Sequence, residues 1–295
     1  VVTDWVGGAI THVRDCQGGM SQGVASVVTG PRRTIFVKAI SDTMNSYAAD
    51  AMHHEAEALR RLPRHPSIPA LVHSRTLTDA SDDWVVLAQE PAAGSTPQPW
   101  TTASIDHALA AWQDLARALA RLDTALWTPT DASGFLSRWD VIAASPDDPW
   151  SAKAVAWQHR CGVLARSVLD GRLVVSHVDL RADNILIDDS AVSFVDWAHS
   201  SLAAPWLDPL LLVLDVAGSG ADLHLEGTVD VQHLWATHPT TRHLPPEMLS
   251  TGAAALAGGL HVAAARTMTE LPHRNTWATA MANNLIRFAE ATDIH

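Results

Sequence analysis

The segment that most restricts the fold is Ser176-His177-Val178-Asp179-Leu180-Arg181-Ala182-Asp183-Asn184-Ile185-Leu186-Ile187, continued through Asp188-Asp189 to Val192-Ser193-Phe194-Val195-Asp196-Trp197. The short apolar strand Leu173–Val175 delivers a polar loop, Ile185–Ile187 leaves it as a second strand, a turn reverses the chain, and Val192–Val195 returns to present Asp196. Such a hairpin brings Asp179, Asn184 and Asp196 to one end. Oxygen-bearing side chains that converge in this way suit Mg²⁺, a hard cation that takes a few protein oxygens and completes its shell with phosphate and water. A carboxylate one step further out can orient a hydroxyl and accept its proton.

Upstream, Ile10–Arg14, Val24–Val28 and Ile35–Ala39 read as an antiparallel meander, with Gly18-Gly19-Met20-Ser21-Gln22-Gly23 in the first connection and a Gly30-Pro31 turn in the second. Glycines between two strands supply backbone N–H groups that can cover phosphates, although a hairpin turn uses the same residues. Lys38 stands inside the apolar run Phe36-Val37-Lys38-Ala39, where burial is costly unless the ammonium meets an anion. The helix His53–Leu62 offers that anion: Glu55 precedes Leu59 and Leu62 by one and two turns and shares their inward face. Taken alone, Lys38 also fits an edge strand and Glu55 a solvated helix face.

Ala70–Leu77 and Trp84–Gln89 add two strands, and then the composition changes. Pro91-Ala92-Ala93-Gly94-Ser95-Thr96-Pro97-Gln98-Pro99 is a linker, and beyond it Ile105, Leu109, Trp112, Leu115, Leu119 and Leu122 recur at helical spacing. This places a sheet-rich segment at residues 1–90, a hinge at 91–99 and a mainly helical segment at 100–295. Further helices are expected over Ser151–Leu169 and after Pro209, with a His- and Pro-rich loop from Gln232 to Pro246.

The order of these parts carries a resemblance. His-x-Asp-x-x-x-x-Asn followed by an apolar strand and Val195-Asp196-Trp197 resembles the catalytic loop and metal-binding Asp of aminoglycoside phosphotransferases and their choline-kinase-like relatives. The resemblance implies an α+β, protein-kinase-like bilobal fold with a small antiparallel-sheet N-lobe and a larger helical C-lobe. It implies that Asp179 is the catalytic base, that Asn184 and Asp196 hold Mg²⁺, that His177 braces the loop, and that Arg181 serves the transferring phosphoryl group. Gly19, Ser21 and Gly23 would cover the phosphates of ATP or GTP, and Lys38 with Glu55 would grip them. The main chain at Gln89 and Glu90 would pair the base as a hinge, and Asp208, in Pro205-Trp206-Leu207-Asp208-Pro209, would cap the catalytic loop. The chain departs from the family at Val178, where Gly is commoner, and near Arg181.

Composition narrows the partner. The net charge is −12, and the segment after Ser95 carries 12 basic against 22 acidic residues, which excludes nucleic acid as the expected partner and favours a cationic acceptor. No GxxxxGK[ST] loop occurs. Pro209–Leu214 and Ala253–Ala265 are shorter than a membrane span, so no membrane partner is expected. Cys16 and Cys161, far apart, fit a reducing compartment, and Val1–Ile10 lacks the basic lead of a signal peptide; a cytoplasmic location is expected, with the chain a monomer or homodimer. Only eleven residues separate Asp196 from Asp208, too few for the peptide-docking segment of a protein kinase, so the acceptor is a small hydroxyl compound. Asp215, Asp222, Glu226 and Glu270 are candidates to meet its ammonium groups, and Trp127, Trp139 and Trp150 to wall its pocket. An antibiotic or other natural product is the first expectation. A metabolic kinase of a sugar or choline-like alcohol and a nucleotide-binding pseudokinase are the alternatives; the latter is opposed by the joint presence of Lys38, Glu55, Asp179, Asn184 and Asp196.

Overall fold

The computed structural model describes residues 1–16, 23–79, 82–220, 229–265 and 272–293. The chain forms two compact units, one comprising Val1–Thr96 with Ala182–Ser200, the other Pro97–Arg181 with Ser201–His295.

The first unit is built on an antiparallel sheet of β1 (His12–Asp15), β2 (Val24–Thr29), β3 (Thr34–Ser41), β4 (Leu71–Asp79) and β5 (Asp82–Gln89), in the order β1-β2-β3-β5-β4. All five strands read from the sequence are present, with ends displaced by one or two residues. Period-two alternation sorts the faces of β3. Ile35 and Val37 pack with Val28, Val86, Ala88 and Val6, whereas Ile40 packs with Val85 and Ala49. Lys38 has the parity of Ile40. Val6 comes from α1 (Val2–Val6), a helix too short to leave a periodic signal. Ala49 belongs to α2 (Ser46–Arg61), which begins seven residues before the expected His53 because the Asn45 side chain caps it, accepting the Ala48 N–H at 3.0 Å. Its first half buries alanine rather than leucine, and so the sequence pattern is faint there.

The second part of this unit is the hairpin Ile185–Ile187 with Val192–Phe194, in the register Ile185↔Phe194 and Ile187↔Val192. Phe194 N–H donates to the Ser67 carbonyl at 2.9 Å. Ser95 and Ile187 exchange main-chain hydrogen bonds of 3.1 and 2.9 Å, which ties the end of the linker-like stretch to the hairpin. Gly94 makes that approach feasible: its φ is 97°, and a Cβ there would stand 2.4 Å from the Ile187 carbonyl oxygen.

The second unit is helical, with a two-stranded ribbon of Val174–Ser176 and Ser201–Ala203 at the base of the polar loop. Its α3 (Thr102–Leu119) opens with a reciprocal cap between Thr101 and Ser104 and buries Ile105, Leu109, Trp112, Leu115 and Leu119, as their spacing requires. Then follow α4 (Ser133–Leu136), α5 (Trp139–Ala143), α6 (Ser151–Ser167), α7 (Leu207–Gly218), α8 (Val231–Thr237), α9 (Pro246–Ala265) and α10 (Pro272–Thr292). Every residue of α7 is buried.

Four expectations need correction here. The loop expected from Gln232 to Pro246 contains most of α8, started by Asp230, whose carboxylate accepts the His233 N–H at 2.8 Å. Trp139 and Trp150 are core residues with rings stacked at 5.8 Å, not pocket walls. Asp215 is buried and accepts the Trp100 Nε1–H at 2.8 Å, so it anchors α7 instead of facing an acceptor. The apolar run Ala253–Ala265 is only the latter part of α9, which by length and hydropathy is sufficient to cross a membrane; half of that stretch is buried, and α9 packs against α6, α7 and α10 as a core helix.

Candidate active site

In the first unit a chain of charged groups runs inward from the sheet. β3 points Lys38 toward α2, and its Nζ donates to Glu55 Oε2 at 2.8 Å and to Asp196 Oδ1 at 3.1 Å. The other Glu55 oxygen, Oε1, accepts from Gln89 Nε2 at 3.2 Å. Glu55 is 1% exposed, so its charge is stable only because both oxygens are bonded and an ammonium lies against it. Burial would lower the Lys38 ammonium, but the charges of Glu55 and Asp196 and their hydrogen bonds outweigh it and raise it above its ordinary value. Burial pushes the Glu55 carboxyl up, with Lys38 opposing.

Asp196 is placed by the hairpin. Val195 N–H donates to the Asn184 carbonyl at 2.9 Å, which extends the strand pairing by one step and sets Asn184 beside the residue preceding Asp196. Asp196 then leaves the strand at φ 65° and ψ 62°, a left-handed conformation that Asp tolerates better than most residues. Its side chain is 44% exposed while Asn184 is buried. The structure thus joins Lys38, Glu55, Gln89, Asn184 and Asp196 within one unit.

In the second unit, Asp208 lies in the first turn of α7, fully buried, and organises the polar loop. Its Oδ2 accepts the His177 N–H at 2.9 Å and its Oδ1 the Val178 N–H at 2.8 Å. Burial pushes the Asp208 carboxyl above its ordinary value, opposed by the charge of His177 and by these N–H donors. His177, wholly buried, turns Nδ1 to accept the Asp179 N–H at 3.4 Å. Between them Val178 sits at φ 66°, a strained conformation for a β-branched residue and one that glycine adopts freely. The Asp179 carboxylate meets Arg181 Nε at 3.3 Å.

The nucleotide-side positions divide. Gly23 is described, at φ 134°, where a Cβ would lie 2.8 Å from the Ala39 carbonyl oxygen. Gly18, Gly19, Met20, Ser21 and Gln22 lie outside the described residues, as do Asp222, Glu226 and Glu270. At the expected hinge, the Glu90 N–H is already donated to the Ala70 carbonyl at 2.9 Å, so Glu90 can offer a base its carbonyl, and Gln89 contributes a buried side chain to Glu55. Sequence reasoning missed that side-chain role, because a Gln at a strand end carries no sign of its partner. It also missed Trp277 of α10, whose ring lies under the Arg181 guanidinium.

A model of the phosphotransferase enzyme family (APH) matches residues 12–244 of the chain. No curated protein sequence matches it. Among solved structures, a thermostable mutant of aminoglycoside phosphotransferase APH(4)-Ia in its apo form is 14% identical, with 97% of each chain covered and a TM-score of 0.63. Spectinomycin phosphotransferase APH(9)-Ia, in complex with ADP and spectinomycin, is 11% identical, with 96% of this chain and 93% of that chain covered and a TM-score of 0.56. The microcompartment-associated aminopropanol kinase is 16% identical, with 96% and 94% covered and a TM-score of 0.57.

Proposed function

Because the chain belongs to the phosphotransferase enzyme family (APH), the small-molecule kinases, we propose that it moves the γ-phosphate of ATP or GTP to a hydroxyl of an amine-bearing natural product such as an aminoglycoside. The observation that carries this reading is the largely buried Lys38 ammonium, held between the buried Glu55 and the partly open Asp196. A buried cation fixed between two carboxylates is poised to bind phosphate oxygens, since the chain has already met the desolvation cost of bringing it there.

In this reading Lys38 grips the phosphates, backed by Glu55 and Gln89. Asp179, braced by His177 and by the Asp208-capped backbone, aligns the acceptor hydroxyl and takes its proton as the new oxygen–phosphorus bond forms. The bond from the γ-phosphorus to the bridging oxygen breaks and the diphosphate leaves. Arg181 offsets charge on the transferring group. Asn184 and Asp196 suit Mg²⁺, because they are oxygen donors and the Asp196 carboxylate is partly open; the ion would neutralise phosphate charge when bound. The spectinomycin enzyme's complex with ADP supports an adenine nucleotide as donor. The likeness to an aminopropanol kinase supports a second reading, a metabolic amino-alcohol acceptor.

A coupled assay of Mg²⁺-dependent ADP and GDP release tests both, across aminoglycosides, basic peptide antibiotics, amino sugars and amino alcohols. We expect one acceptor class to stimulate release in the wild type and not in Asp179→Ala. Nucleotide binding without release on any acceptor would overturn the phosphotransferase reading in favour of a pseudokinase.

A further inference from the structure

The family match ends at residue 244, yet a residue of the last helix reaches the catalytic loop. The Arg181 guanidinium carbon lies 5.0 Å from the centroid of the Trp277 ring, and the same guanidinium meets Asp179 Oδ1 through Nε at 3.3 Å. Three side chains, a carboxylate, a planar cation and an indole, are therefore linked in one unit. We infer that Trp277 is a positioning residue for phosphoryl transfer: its ring fixes the plane of Arg181, and Arg181 in turn fixes the Asp179 carboxylate. The inference rests on the phosphotransferase reading above.

The chemistry of the guanidinium supports this. Its donors all lie in one plane, so a ring beneath its face restrains its orientation while leaving its edge turned to a charged partner. An arginine without that ring keeps several rotatable bonds, and a carboxylate paired to it would share its motion. The indole is well suited to the task, since the electron-rich face of Trp attracts a cation most strongly among the aromatic side chains. The buried residues of α10 are Ala278, Met281, Ala282, Leu285, Ile286, Phe288 and Ala289, and Trp277 stands one turn before Met281, half-buried, at the end of that face nearest Arg181. Arg181 is itself only 18% exposed, so the contact is largely shielded from water and from screening by salt.

The test is a kinetic double-mutant cycle on the full chain with Mg·ATP and the acceptor giving the largest Asp179-dependent ADP release. Trp277→Leu keeps apolar bulk and removes the π face; Trp277→Phe keeps the π face. We expect Trp277→Leu to lower kcat about tenfold with the KM for ATP within about twofold, and Trp277→Phe to restore most of that loss. We expect Trp277→Leu combined with Arg181→Ala to be no slower than Arg181→Ala alone, because the ring acts through the guanidinium. Unchanged kcat in Trp277→Leu, equal losses in the Leu and Phe variants, or penalties that multiply in the double variant would each overturn the inference while leaving the reaction in place. A wild type inactive on every acceptor would instead remove the phosphotransferase reading, and this inference with it.

Discussion

Lys38 Nζ donates to Asp196 Oδ1 at 3.1 Å across 158 positions of sequence, and the bond joins the middle of a β-strand to the end of a distant hairpin. The ammonium is thereby shared with Glu55, whose second oxygen is held by Gln89. Four polar side chains are thereby linked through one ammonium and one buried carboxylate, so the loss of either disturbs the rest.

Removal of the cation should expose this dependence. Lys38→Met leaves the almost inaccessible Glu55 facing Asp196 without a counter-charge, and a broken buried pair costs about 3 kcal/mol. Urea unfolding at pH 7 should show that loss, and the double variant Lys38→Met with Glu55→Gln should regain a good part of it. Equal stability of the two variants would mean that Glu55 takes up a proton once Lys38 is removed.

Asp179 and Asp196 should fail in different ways. Asp179→Ala is expected to lower kcat by about a hundredfold or more while titration with a non-hydrolysable ATP analogue gives a nearly unchanged Kd. Asp196→Ala should instead weaken Mg²⁺-dependent binding of the same analogue by about tenfold or more. Calorimetry on both variants decides it: a Kd that moves only in Asp179→Ala would reverse the assigned roles.

The parts legible in the sequence were those with a repeating or spaced signature. Alternation in β3 placed Ile35 and Val37 on one face and Lys38 on the other, and the i, i+3, i+4 spacing from Ile105 to Leu119 gave α3. The apolar–polar–apolar rhythm from Ser176 to Asp196 gave the hairpin, and the structure pairs its strands in the register Ile185↔Phe194. What stayed hidden depends on partners far along the chain. Asp215 looks like any helix carboxylate until Trp100 is found against it, and Trp277 like any helix aromatic until Arg181 is. The start of helix α2 is faint because alanines bury a face without marking it, and α8 is hidden because the histidines and prolines in and around it look like loop punctuation.

Val178 offers a test of stored strain. At φ 66° a β-branched side chain costs about 1–3 kcal/mol, and glycine removes that cost while adding somewhat less in unfolded-chain entropy. Val178→Gly should therefore raise Tm or leave it unchanged, in contrast to the loss usual for a half-buried valine. A clear fall in Tm would show that the Val178 side chain stabilises the loop by more than its backbone strain costs.

Asp208 makes the loop sensitive to pH in an unusual direction. Its folded carboxyl titrates above the ordinary value of 3.8, mainly through burial, so the folded state binds that proton more tightly than the unfolded chain does. Its contribution to stability is fully present below about 3.8 and declines as pH rises through the elevated folded value. Asp208→Asn abolishes this titration and leaves one of the His177 and Val178 N–H groups facing an amide NH₂, at a cost of about 1–3 kcal/mol at neutral pH. The deficit of the variant against wild type should therefore widen as pH falls from 7.5 toward 4.5 in urea titrations of both proteins. A deficit that narrows would mean that the two N–H donors and His177 hold the carboxylate charged more strongly than burial opposes it, and that the loop is capped by an ordinary, low-titrating aspartate.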